Sequence, residues 1–254
     1  LRHTYQDFEL VILENQSTDD TMDIISSYDD HRIKIYPSKE PLNMEENWHR
    51  ALHVPKQEYL TLIGHDDLLD PNYLEVMSRL IDVHPKASLY QAHFRYIDEA
   101  GNEMSKCSVM SSSYDPSGVI RGFLNSEIDL IGTGFMMRSS DYHLVGGIPS
   151  YPGLLFADMQ LFIALGVKSY LAVAAEECFS YRRHQNSTTF SATASKLLIA
   201  FRLLVNYLHS QITTDVVLAN AIKDNSTEFL RRYCQAISHK ILKTGSGKGG
   251  NLTV

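Results

Sequence analysis

The feature that most constrains this fold is a threefold alternation at the start of the chain. "FELVILE" (8–14), "RIKIYP" (32–37) and "EYLTLIG" (58–64) are short apolar or alternating runs of the kind that form buried strands. Each is followed by helical spacing: "STDDTMDIISSY" (17–28), "MEENWHRALH" (44–53) and "NYLEVMSRLIDVHP" (72–85). Ser17 or Thr18 is placed to cap the first helix. Asp70-Pro71 reads as the cap and first residue of the third. Strand–helix three times over predicts an α/β layered domain, with a largely parallel central sheet flanked by helices. Ligands of such sheets bind beyond the carboxyl ends of the strands. Glu14-Asn15 and Asp66-Asp67 both fall at such ends and would share one rim.

The rest is less regular. "SLYQAHFRYID" (88–98) reads as a strand, "SKCSVMSSSYDPSG" (105–118) as a polar loop and "GTGFMMR" (132–138) as a strand entered through glycines. A Gly/Pro-rich loop (146–158) leads to a helix over "MQLFIALG", and "YLAVAAEECFSYRRH" (170–184) contains a further strand. From Ser195 to Leu208 apolar residues cover nearly the whole helix, which predicts packing against the body or a partner. The expected organisation is one α/β domain over residues 1–190 and a C-terminal helical region, 191–254, with a flexible tail. The tail's "GSGKGG" is not a phosphate loop, because no Ser/Thr follows the lysine and no strand leads in.

Composition excludes some function classes. A net charge of −7 over 254 residues argues against broad nucleic-acid binding. No apolar run reaches the roughly 18 residues of a membrane span. Cys107, Cys178 and Cys234 are far apart and form no CxxC pair, which favours a reducing compartment and removes zinc-ribbon and disulfide readings. Trp48, the only tryptophan, reads as a packing residue.

Four groups could carry chemistry. Asp66 and Asp67 suit a hard cation such as Mg²⁺ or Mn²⁺, and equally a turn. His184 ends a strand beside Arg182 and Arg183; it could ligate Mn²⁺ while an arginine meets phosphate, or all three could form a solvated turn. Asp158 lies between apolar residues, where burial would raise its pKa as suits a general base, or where it could cap a helix.

Taken in order, these segments resemble the family 2 glycosyltransferases, whose nucleotide-sugar-binding fold is called GT-A. "DFELVILENQSTDDT" (7–21) is similar to that family's strand and D-D/N-x-S-x-D-x-T, and "NMEENWHRAL" (43–52) to its N-W-x-R helix. "EYLTLIGHDDLLDPNYLE" (58–75) is similar to its D-x-D segment. "GTGFMMR…VGG" with "FADMQLFIALG" resembles its acceptor-side helix, and "YRRHQNSTT" its Y-R-x-H-x-x-S. The resemblance implies a GT-A-type α/β fold. It places Glu14 and Asn15 at the nucleotide base, with Ser17, Asn47 and Arg50 among the nucleotide-sugar-binding residues. Asp66 takes the metal-binding position with Asp67 beside it, and His184 is a further ligand for Mn²⁺ or Mg²⁺. Asp158 is the catalytic base; Arg182 or Arg183 meets the diphosphate.

Four departures stand out. Gly64 replaces the first acid of D-x-D, Ala157 replaces the first acid of E-D, and Glu14 replaces an Asp. The family's opening strand, central to its sheet, has no counterpart, so an N-terminally truncated chain is expected. The implied activity is inverting, metal-dependent hexosyl transfer from a nucleotide-diphosphate sugar, most often a UDP-sugar, to a saccharide or lipid-linked saccharide acceptor in bacterial surface polysaccharide synthesis. A cytoplasmic location at the inner membrane face goes with it; peripheral membrane association and homo-oligomerisation are open to such a protein. The rival readings are a nucleotidyltransferase and a non-catalytic nucleotide-sugar- or partner-binding relative.

Overall fold

The structure is a computed structural model that describes residues 1–184, 191–213 and 215–245. The segments 185–190 and 246–254, including the serine of "YRRHQNSTT" and most of "GSGKGG", lie outside the described residues.

The molecule is α/β with helices at its C-terminal end. Strands β1 (Leu10–Ile12) and β2 (Ile33–Ile35) form a two-stranded parallel pair. A second, seven-stranded sheet comprises β3 (Tyr59–Thr61), β4 (Leu68–Leu69), β5 (Leu89–Ile97), β6 (Glu103–Lys106), β7 (Ser113–Tyr114), β8 (Met136–Arg138) and β9 (Leu171–Arg182). Its main path runs β3-β8-β5-β9-β4. The parallel pairing expected from the sequence is confined to β1–β2 and β5–β9. The other pairs are antiparallel, and of these β5 and β6 are joined directly by the tight Asp98–Asn102 turn.

β5 and β9 are the buried spine. Leu89, Tyr90, Ala92 and Phe94 on β5 and Leu171, Ala172, Cys178 and Phe179 on β9 are fully covered. Phe94 stacks on Phe179 at 4.7 Å between ring centroids. Burying one such ring contributes about 1.5–3 kcal/mol. Helix α3 (Tyr73–Val83) packs on both strands through Tyr73, Val76, Met77 and Leu80, the spacing of a helix face. The Tyr73 hydroxyl donates to the Gly134 carbonyl at 3.1 Å, so its buried polar end is satisfied.

Other helices are α1 (Thr21–Ser26), α2 (Met44–His49) with a 3-10 turn (Arg50–Leu52), α4 (Pro116–Leu124), α5 (Ser139–Leu144) and α6 (Ala157–Lys168). The C-terminal pair is α7 (Ala194–Gln211) and α8 (Val216–Gly245). α8 packs on α4 and α7, which attaches the C-terminal region to the α/β body. Among the described residues no helix is long and apolar enough to cross a membrane.

Three local expectations are corrected. α3 starts at Tyr73, not at Pro71, because the Asp70 carboxylate is engaged by Arg95 through two hydrogen bonds of 2.9 and 2.5 Å. α1 has Asp20 at its cap, and the Ser17 N–H is taken by Glu14. The polar segment 105–118 is not all loop: it holds β7 and the start of α4, where Asp115 accepts the Gly118 N–H at 2.6 Å and Pro116 opens the helix.

β1 and β3 lie side by side without pairing, and a cavity of about 840 Å³ separates them. Leu10, Val11 and Leu13 line one wall and Tyr59, Leu60 and Leu62 the other.

Candidate active site

Two clusters form at the carboxyl ends of the strands. The first follows β1. The Glu14 side chain is 7% exposed, and its Oε1 accepts the Ser17 N–H at 2.5 Å. That bond holds its carboxyl below the usual range, against the opposing effect of burial. Gln16 adopts a left-handed conformation (φ 58°), which turns the chain over this carboxylate.

The rest of this cluster is a frame. Asn15 donates to the Leu42 carbonyl and accepts the Leu42 N–H, both at 2.9 Å. Asn43 and Glu46 form a reciprocal capping box that starts α2, the helix carrying Asn47 and leading into Arg50. Arg50 Nη1 donates to the Glu14 carbonyl and to Asn47 Oδ1 at 2.8 Å each, and Nη2 donates to the Tyr36 carbonyl. The side-chain groups of Asn15, Asn47 and Arg50 therefore tie β1, β2 and α2 together.

The second cluster brings β3 and β9 together. Asp66 Oδ2 and His184 Nε2 are 2.9 Å apart. Asp67 Oδ1 accepts the Arg182 N–H at 2.9 Å. Its pKa is pushed up to about 6, chiefly by burial, against that hydrogen bond and with the Asp66 charge adding to the rise. Arg182 donates Nε to the Asp66 carbonyl at 2.8 Å and Nη1 to the Asp98 and Glu99 carbonyls at 2.8 and 3.1 Å. Its guanidinium is a brace. Arg183 is exposed and lies over the Tyr96 ring at 3.5 Å. His65 points to solvent.

Gly64 has a steric explanation. A Cβ there would stand 2.8 Å from Asp66 Oδ1 and 3.2 Å from Asp67 Oδ2. The two carboxylates occupy the space that a side chain at 64 would need.

Asp158 opens α6, and its Oδ1 accepts the Met159 N–H at 2.8 Å. Burial raises its pKa to about 6. Tyr181, on β9, is not marked out by the sequence, yet it feels the charges of both acidic groups. Its pKa is raised first by burial, then by the charges of Asp67, Asp158 and Asp66. The signal available was its place one residue before Arg182 on an alternating strand. The first cluster's helix α2 is tied to the segment ahead of Asp158 where the Glu45 carboxylate accepts the Gly153 N–H at 2.6 Å.

A cation site is testable by its donor set. Asp66 and His184 supply one oxygen and one nitrogen, and Asp67 is turned toward Arg182. Among the described residues no group of three or more His, Cys, Asp or Glu forms a complete protein cage. A two-residue set fits Mg²⁺ or Mn²⁺ bound together with substrate phosphates, the way such ions are commonly held.

Comparison with known proteins gives the family and the fold. The model of glycosyl transferase family 2 matches residues 1–145. The chain is 22% identical over 104 residues to the glycosyltransferase GlyG of Streptococcus pneumoniae, 40% of this chain and 35% of GlyG. It is 21% identical over 263 residues to an uncharacterised glycosyltransferase of Haemophilus influenzae, 96% of this chain and 77% of the relative. S. aureus TarS 1–349, solved in complex with UDP, has a similar fold at a TM-score of 0.59 and 13% identity, over 87% of this chain and 65% of that one. The chain thus spans about a third of GlyG's length. Since the family model covers more than half of the chain and takes in both strand ends at the rim, this chain belongs to glycosyl transferase family 2.

Proposed function

We propose that the chain carries the transfer site of an inverting glycosyltransferase, which moves a hexosyl group from a UDP-sugar to the hydroxyl of a saccharide or lipid-linked saccharide. One observation carries this reading: a half-buried carboxylate whose pKa is raised by desolvation, Asp158, shares Tyr181 as an electrostatic neighbour with Asp66 of the Asp66–His184 pair. A base and a diphosphate-side cluster are what such a displacement requires.

Asp158 would take the acceptor proton as the hydroxyl attacks the anomeric carbon from the face opposite the diphosphate, so configuration inverts. Glu14 and Ser17 at the end of β1 would meet the nucleotide, on the frame that Asn15, Asn47 and Arg50 hold rigid. Arg183, exposed beside the cluster, is better placed than the braced Arg182 to meet phosphate oxygens. Asp66 and His184 would hold Mn²⁺ or Mg²⁺, which when bound neutralises diphosphate charge. UDP as the nucleotide is supported by the TarS likeness. Bacterial surface polysaccharide synthesis, at the cytoplasmic face of the membrane, is the setting that the family resemblance favours. The test is a panel of UDP-sugars read by released UDP, with UDP binding by calorimetry alongside. Absence of both release and binding would sink the reading, and pyrophosphate release from a nucleoside triphosphate would replace it with nucleotidyl transfer.

A further inference from the structure

The turn that delivers Asp158 is bent against its own preference. Gly153 (φ 65°), Leu154 (φ 54°) and Phe156 (φ 65°) all have positive φ, and Phe156 is the residue immediately before α6. Bulky L-residues rarely occupy that region, and they persist there only where the surroundings over-determine them.

The surroundings come from the C-terminal helices. The Phe156 ring, 8% exposed, packs against Phe201 of α7 at 5.7 Å and edge-on against Tyr233 of α8 at 5.0 Å. Phe201 and Tyr233 stack on each other at 5.3 Å, and Phe229 closes the group 4.8 Å from Tyr233. From the opposite side, Glu45 holds the Gly153 N–H. The backbone at 156 sets the direction in which α6 leaves, and Asp158 stands two residues on, in its first turn.

We propose that Phe156, clamped left-handed by Phe201 and Tyr233, is a positioning residue through which the C-terminal helix pair fixes where the Asp158 carboxylate stands. This rests on the reading of Asp158 as the base. It makes the C-terminal helices part of the transfer site, although they lie outside the segment that the family model matches.

Two variants test the clamp. Phe156→Gly keeps the left-handed freedom and removes the ring. Phe201→Leu keeps an apolar filling and removes the stack. The Asp158 carboxyl is titrated by carbon-13 NMR in each, and UDP release is followed with the UDP-sugar panel. Tyr181 and Tyr233, the titratable groups that sense Asp158, have pKa values above the ordinary phenol range, so their ionisation stays clear of the window. In both variants the Asp158 midpoint should fall by at least about one pH unit and kcat at least about tenfold, with UDP affinity within about twofold of wild type. A folded variant with unchanged midpoint and unchanged kcat overturns the clamp. So does a parallel loss of UDP affinity and kcat, which would mark a merely structural role. Asp158→Asn separates the two failures: wild-type rates there remove the base and the proposal with it. A loss there, with unchanged Phe156→Gly and Phe201→Leu, removes the clamp alone.

Discussion

Asp66 Oδ2 and His184 Nε2 meet at 2.9 Å across 118 residues of sequence. Each is only partly exposed, 29% and 25% at the side chain, so the pair is presented at the rim without being dissolved in solvent. If the pair holds the cation, His184→Gln should raise the Mn²⁺ concentration needed for half-maximal UDP release by at least the 10–100-fold typical of a lost outer-shell partner, and Asp66→Asn by more. Titration of chelator-treated protein with Mn²⁺ measures this. An unmoved midpoint in both variants would take the cation away from these residues.

Gly64 predicts the failure of an apparent restoration. Gly64→Asp would recreate the family's first acid, yet its Cβ would approach Asp66 Oδ1 to 2.8 Å and bring a third carboxylate to the turn. Steric displacement and like charge act together, so UDP affinity should fall by roughly tenfold or more, about 1.4 kcal/mol, where motif logic expects a gain. Gly64→Ala separates the causes, since it keeps the contact and adds no charge. Tighter UDP binding by Gly64→Asp would show that the turn opens to admit the acid.

Much of this site was legible because its residues sit at strand ends that apolar patterning marks. β1, β3, β5 and β9 lie inside the expected runs, and so the patterning puts Glu14, Asp66 and His184 beyond strand ends, where the structure has them. What single positions do was less legible. Arg182 and Arg183 look equivalent in sequence, but strand alternation points one at carbonyls and the other at an aromatic face. Asp70-Pro71 and Asp115-Pro116 are the same local signal. Only the second caps a helix, because Arg95 claims the first aspartate from a distant strand. The Phe156 clamp joins segments about 45 and 77 residues apart through a backbone conformation that no propensity favours.

The open groove predicts a local pattern of amide exchange. β1 directs Leu10 and Ile12 toward β2, which leaves the Val11 and Leu13 amides facing the cavity. β3 pairs Leu60 with Met137, which leaves Tyr59 and Thr61 facing it from the other wall. In this chain those four amides should exchange at least about 100-fold faster than Leu10, Ile12 and Leu60, since unpaired edges gain little from the global fold. Hydrogen exchange read by NMR decides it. Equal protection on both sides would mean that another segment of polypeptide occupies the groove.

As the proposed base, Asp158 would link catalysis to stability with opposite signs. Its carboxyl titrates near 6 in the folded protein, raised by burial from an ordinary value of 3.8. The folded state therefore holds a proton that the unfolded chain gives up across that interval, and stability falls as pH rises through it. Two pH units correspond to roughly 3 kcal/mol. The helix N-terminus returns only about 0.3–1 kcal/mol to the ionised form, so burial wins. Asp158→Asn should thus melt roughly 5 °C higher at pH 8, at about 2–4 °C per kcal/mol for a chain of this size, with the gain gone by pH 4. The same substitution should lower transfer by about 10²–10⁴-fold, and the wild-type rate should climb through an acid limb near pH 6 that the variant lacks. Thermal melts at the two pH values and the pH–rate profile check the two halves separately. A variant that is both less stable at pH 8 and fully active would show that the carboxylate is held for packing.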